Sequence, residues 1–171
     1  MGRWLDAICS LLGLVHVSHY EGHAPMMLED HATRYAIDIG ADRLRNLGRI
    51  GQDAQEYRFT IAREGSLYEI DGRGVLARVL GDLRNGIGVG CIAYRVHGAI
   101  AQLLVDTLGH LASPWAESRR VGLTGGVFQN RLLVELADDR LARAGWQALF
   151  HRRIPPNDSG IAAGQLRLLG P

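Results

Sequence analysis

Lysine is absent from this 171-residue chain; all 19 basic residues are arginine. Chemistry that needs a primary amine, such as a Schiff base or the phosphate lysine of a Walker A loop, must therefore come from elsewhere. Cysteine is scarce. Cys9 and Cys91 stand far apart with no Cys-x-x-Cys pair, which excludes a disulfide framework and a four-thiolate zinc site and leaves buried free thiols. Long apolar runs are missing too, since none approaches the ~20 residues needed to span a bilayer. Met1-Gly2-Arg3-Trp4-Leu5-Asp6 lacks the basic, apolar, then small layout of a signal peptide, so the expectation is a cytoplasmic chain without a membrane role. A net charge of +1 argues against a surface that binds nucleic acid or membrane by electrostatics. What the sequence does have is 47% apolar and 22% charged residues, the balance of a soluble globular domain long enough to bury a core.

Apolar periodicity places the elements. Trp4, Leu5, Ile8, Leu11 and Leu12 recur at helical spacing, with Gly13 as a C-terminal cap. Val15 to Pro25 reads as a loop carrying histidines, and Met26 to Ile37 as a helix with Met27, Ala32 and Tyr35 toward its buried side. Gly40 to Gln55 is polar and irregular, and residues 34–55 form the least legible part of the chain. Tyr57–Ile61 and Leu67–Ile70 alternate as two strands of a hairpin. Val75, Leu76, Val79, Leu80 and Leu83 mark a helix ending near Asn85-Gly86, and Val89 to Leu111 is a long helix buried on several sides. Arg120–Thr124 is a short strand, followed by a helix from about Gln129 to Arg143, a strand at Gln147–His151 and a last helix from about Ser159 to Leu169. Strand, helix, strand, helix implies a parallel α/β arrangement.

Ligands in open α/β sheets lie beyond the carboxyl ends of strands, where glycine lets the backbone come close. Thr124-Gly125-Gly126 holds that position. The helix behind it would aim free N–H groups at an anion or polar ring, and Asn130 would present its amide toward a base or ribose. The plainer alternative is a tight turn needing positive φ, with Asn130 in solvent. Pro155-Pro156-Asn157-Asp158-Ser159-Gly160 opens on the same edge. There Asn157 or Asp158 caps the last helix, and Asp158 is either a simple cap or a carboxylate able to hold a metal ion. His16, His19, His23 and His31 have zinc-like spacings but straddle a loop, which favours surface histidines over a metal site. His97, on the long apolar helix, reads as a satisfied core histidine.

These segments together resemble a known family. Leu123–Leu133, His151–Gly160 and Gly164-Gln165, with Arg3–Ala7, Leu11–Leu14, Tyr20-Glu21-Gly22 and Arg95-Val96-His97, are similar in order and spacing to the C-terminal end of the HypF carbamoyltransferases, which mature nickel–iron hydrogenases. The resemblance implies the second half of an actin/Hsp70-like (ASKHA, RNase H-like) domain, with a mixed sheet flanked by helices, extending over residues 1–171. It implies ATP and a divalent metal (Mg, Fe or Zn) as cofactors, the metal shared with a first half of the domain. That first half would carry the phosphate-binding turns and a metal-binding histidine pair. Carried over by position, Asp6 and Gly22 would contact the ribose side of the nucleotide. Gly125, Gly126 and Asn130 would line the adenine and ribose pocket, and Asp158 would be a metal ligand. The implied reaction forms a carbamoyl-adenylate from carbamoyl phosphate and ATP and passes the carbamoyl group to the C-terminal cysteine of a partner maturation protein.

Two other readings compete. The chain could be an inactive truncated product or an interaction module using the surface that faces the first half. It could instead be a relative of the enzymes of threonylcarbamoyl-adenosine synthesis on tRNA, although Phe128-Gln129-Asn130 and Pro156-Asn157-Asp158 fit the hydrogenase branch better.

Overall fold

The computed structural model describes residues 1–40, 57–111 and 117–169. Helix α1 spans Gly2–Leu11 and α2 spans His23–Asp38. Strands β1 (Thr60–Glu64) and β2 (Leu67–Asp71) form an antiparallel hairpin. Helices α3 (Arg73–Arg84) and α4 (Val89–Leu111) follow. Strand β3 (Arg120–Leu123), helix α5 (Arg131–Arg143), strand β4 (Gln147–Phe150) and helix α6 (Ile161–Leu168) complete the order. β3 and β4 pair in parallel, with Arg120 opposite Gln147 and Leu123 opposite Phe150. Among the described residues the strands thus stand as two two-stranded sheets, one antiparallel and one parallel, within an α/β chain. No helix among the described residues is long and apolar enough to cross a membrane.

Helix α4 is the centre of the core. Ile92, Ala93, Val96, Ala99, Ile100 and Ala101 are all buried, and they point in several directions around the helix. Burial of each larger aliphatic side chain contributes about 1.5–3 kcal/mol before entropy is counted. α2 packs on it through Ala24, Leu28, Ala32 and Ala36, a stripe four residues apart. Small residues let the two backbones come close, and a Cβ on Gly90 would stand 2.9 Å from both the His31 carbonyl and the Tyr35 Cβ. α1 adds Leu5, Ile8 and Leu12, and α5 adds Leu133, Ala137 and Leu141.

Several boundaries differ from the sequence expectation. α2 begins at His23, so Pro25 lies in its first turn, where a missing N–H costs nothing. Met27 and Tyr35 are only half-buried, the alanine and leucine stripe having taken the inner face. The helix runs on to Asp38, one residue past the expected end at Ile37 and into the least legible stretch; residues 41–56 lie outside the described residues. The hairpin begins at Thr60 rather than Tyr57, because Tyr57 turns inward. It is buried, and its hydroxyl donates to the buried Asp82 carboxylate at 2.9 Å. Arg95 (2.7 Å) and Arg78 (3.1 Å) complete the charge balance of Asp82. Both cysteines are free, as expected; Cys9 is buried, whereas Cys91 is only half-buried.

Candidate functional site

The parallel register brings the carboxyl ends of β3 and β4 side by side. There Thr124 Oγ1 and His151 Nε2 stand 3.0 Å apart and line an open groove together with Gly122, Leu123, Leu149 and Phe150. The pairing of Thr124 with His151 has no local sequence signal, since only the strand register creates it.

Gly125 follows Thr124 with φ 108° and ψ 155°, a conformation closed to side-chain-bearing residues. Its N–H donates to the Pro156 carbonyl at 2.8 Å, so the glycine turn and the Pro-Pro-Asn-Asp turn are tied together. Gly126 is different. Its φ is ordinary, and a Cβ there would meet nothing nearer than the Asn157 Cβ at 3.8 Å. Neither conformation nor internal packing requires glycine at 126. The chain then makes a short 3-10 turn, Gly126–Gln129, instead of entering α5 directly.

Asn130 breaks that turn from α5. It is the N-cap, 6% exposed, with Oδ1 accepting the Leu133 N–H at 2.7 Å. Its Nδ2 lies 2.9 Å from His97 Nε2. The expectation that Asn130 holds out its amide toward a ligand is therefore corrected: both ends are engaged inside the protein. The expectation of free N–H groups at the start of α5 is corrected as well. Glu29 Oε1, from α2, accepts the N–H groups of Arg131 (2.7 Å) and Leu132 (3.3 Å). A carboxylate already offsets the positive end of this helix, which leaves the glycine turn itself as the approachable backbone.

His97 is fully buried on α4. Burial pushes its imidazole pKa down to about 4, while the hydrogen bond to the Ala93 carbonyl (2.8 Å) opposes the shift. It is a satisfied core histidine, as expected, and it is also Asn130's partner.

Asp158 is exposed and opens a short 3-10 turn, Asp158–Gly160. The cap there is Asn157, whose side chain accepts the Ser159 N–H at 3.2 Å. Capping thus does not occupy the Asp158 carboxylate. Among the described residues no three His, Cys, Asp or Glu side chains are grouped to hold a metal, Asp158 included. The histidine segment forms no such group. His16 bonds Ser10 at 2.9 Å, and His23 stacks beside Tyr20 with ring centroids 4.6 Å apart. Gly22 is the N-cap of α2 at φ 81°, and Asp6 is half-buried on α1. Gly125, Gly126 and the Asn157-Asp158 turn are brought together directly. Gly22 opens α2, whose Glu29 reaches the start of α5, and Asp6 lies on α1, which packs on α2.

Comparison with known proteins gives one consistent answer. Residues 1–165 match the family described as carbamoyltransferase, Kae1-like domain, second subdomain. The HypF carbamoyltransferase of Synechocystis sp. is 28% identical over 166 residues, covering 97% of this chain and 19% of that protein. The HypF2 carbamoyltransferase of Cupriavidus necator is 30% identical over 177 residues, covering 97% of this chain and 21% of that protein. A crystal structure of full-length HypF in a phosphate- and nucleotide-bound form superposes with a TM-score of 0.77 at 27% identity, covering 100% of this chain and 21% of that one. The T. kodakarensis HypF structure gives 0.71 at 27% identity, covering 99% of this chain and 20% of that one. This chain spans about a fifth of the length of these relatives. With an α/β fold of the actin-like (ASKHA) type and this match along nearly its whole length, the chain belongs to the HypF carbamoyltransferase family, as the second subdomain of its Kae1-like domain.

Proposed function

We propose that this chain forms one wall of the ATP site of a carbamoyltransferase. The reaction uses carbamoyl phosphate and ATP to form a carbamoyl-adenylate. Its carbamoyl group then passes to the C-terminal cysteine of a maturation protein, the route to the cyanide ligands of nickel–iron hydrogenase. The observation that carries this reading is Gly126, a glycine that neither its own φ nor its neighbours demand, at the carboxyl edge of β3 beside the Asn157-Asp158 turn. A ligand pressed against the backbone supplies the missing reason for glycine. The full-length HypF it resembles was solved with phosphate and nucleotide bound, which supports the same reading.

In this reading Gly125 and Gly126 line the adenine and ribose, with Asn130 bracing the turn from behind. Gly22 and Asp6 stand on the ribose side. Asp158 contributes one oxygen to a divalent ion (Mg, Fe or Zn), which when bound neutralises phosphate charge. A first subdomain supplies the other wall, including phosphate contacts and the remaining metal ligands, so this chain by itself binds nucleotide weakly and transfers no carbamoyl group.

Gly126→Ala is the direct probe. It should weaken binding of ATP with Mg²⁺ about tenfold, equivalent to ~1.4 kcal/mol. Thermal stability should stay within about 0.5 kcal/mol of the parent, since the added methyl has room. Unchanged affinity in this variant would remove the ground for placing nucleotide at the turn.

An interaction module is the second reading, favoured by α6. Ile161, Leu166, Leu168 and Leu169 are exposed, and α6 buries no residue.

A further inference from the structure

Resting on the nucleotide reading above, we propose that His97 is a positioning residue for the glycine turn: acting through Asn130, it fixes where the Gly125-Gly126 backbone stands. The argument starts from proton placement. His97 Nδ1 lies 2.8 Å from the Ala93 carbonyl oxygen, which can only accept, so Nδ1 carries the ring proton. Nε2 is then a bare acceptor, 2.9 Å from Asn130 Nδ2. That pairing fixes the orientation of the Asn130 amide: NH₂ toward α4, oxygen toward the Leu133 N–H at 2.7 Å.

Asn130 also controls the backbone on either side. Its N–H donates to the Val127 carbonyl at 3.2 Å, closing the 3-10 turn that starts at Gly126, and its carbonyl accepts the Val134 N–H at 3.1 Å. Its own extended backbone, φ −70° and ψ 108°, is the break between that turn and α5. A cap alone would need only the Leu133 bond, which a serine supplies. The bond to His97 adds a second anchor, from a helix 33 residues back in the chain, and so holds the break at one place in the core. The ring is neutral through the physiological range because it is buried, so the acceptor on Nε2 persists.

The test uses the whole chain, labelled with ¹⁵N, with ADP and Mg²⁺ as the probe. His97→Leu keeps apolar volume but removes the acceptor, whereas His97→Gln offers an amide oxygen to Asn130. In the absence of nucleotide, the Gly125 and Gly126 amide resonances should shift in His97→Leu and return toward wild type in His97→Gln. ADP affinity should fall about fivefold to tenfold in His97→Leu, the scale of one lost buried hydrogen bond, and recover in His97→Gln. Should His97→Leu not fold, Asn130→Ser carries the same test, because it keeps the Leu133 cap and gives up only the reach to His97. The wild-type ring should show the Nδ1–H tautomer in long-range ¹H–¹⁵N spectra. An Nε2–H tautomer, or glycine resonances unmoved in both His97→Leu and Asn130→Ser, overturns the proposal. So does a His97→Gln variant as altered as His97→Leu, which would mean that the ring only packs. If the wild-type chain shows no response even to millimolar ADP, the nucleotide reading fails, and the nucleotide-free glycine shifts still decide the role of His97.

Discussion

A buried imidazole with a single lone pair to offer makes the acid stability of this chain depend on His97. In the unfolded chain a histidine titrates near 6.5, whereas burial holds the folded group near 4. Below pH 6.5 the unfolded state therefore binds a proton that the folded state refuses. The contribution of His97 to stability is complete above 6.5 and is lost as the pH falls from 6.5 toward 4, by up to roughly 3 kcal/mol. Denaturant unfolding across that range should show a steeper decline in the parent than in His97→Gln, and equal slopes would contradict the assignment. At this scale the sequence was partly legible. Asp158, Gly125 and Gly126 stand out from their neighbours by type and spacing, and the structure brings them onto one edge. The engagement of Asn130 was not legible, because its partner arrives from α4, and nothing near residue 130 announces it.

Between elements, the join that organises the site is Glu29 on the start of α5. One carboxylate oxygen takes two helix N–H groups and ties α2, which begins at Gly22, to the helix behind the glycine turn. Glu29→Ala should destabilise the chain by about 1 kcal/mol, the usual cost of a lost N-terminal cap. It should also speed hydrogen exchange at the Arg131 and Leu132 amides, while Glu29→Gln, which keeps an acceptor, should cost less. Exchange rates unchanged in both variants would contradict a capping role. Periodicity revealed nearly every helix here, since α4 and α5 carry stripes of Ile, Leu, Val and Ala that read without ambiguity. It could not reveal the Glu29 contact, which links residues 102 positions apart. Nor could alternation tell that Tyr57, apparently the first residue of a strand, would leave the hairpin for Asp82.

At the scale of the whole molecule, α6 buries no residue among those described and leaves large apolar side chains exposed. Ile154, Ile161, Leu166, Leu168 and Leu169 are among its exposed hydrophobics. Size-exclusion chromatography with light scattering should therefore show self-association that increases with concentration. A strictly monomeric elution would count against both the interaction-module reading and the expectation that these exposed side chains pack against a complementary first subdomain. The central claim is that the glycine turn is one wall of a nucleotide site and no more than that. Titrating the ¹⁵N-labelled chain with ATP and Mg²⁺, with phosphate release followed in the same sample, tests it most directly. The account predicts graded shifts at Gly125, Gly126 and Asn157–Ser159 in the millimolar range without turnover. Micromolar saturation with turnover, or shifts that spare the turn and gather elsewhere, would contradict it.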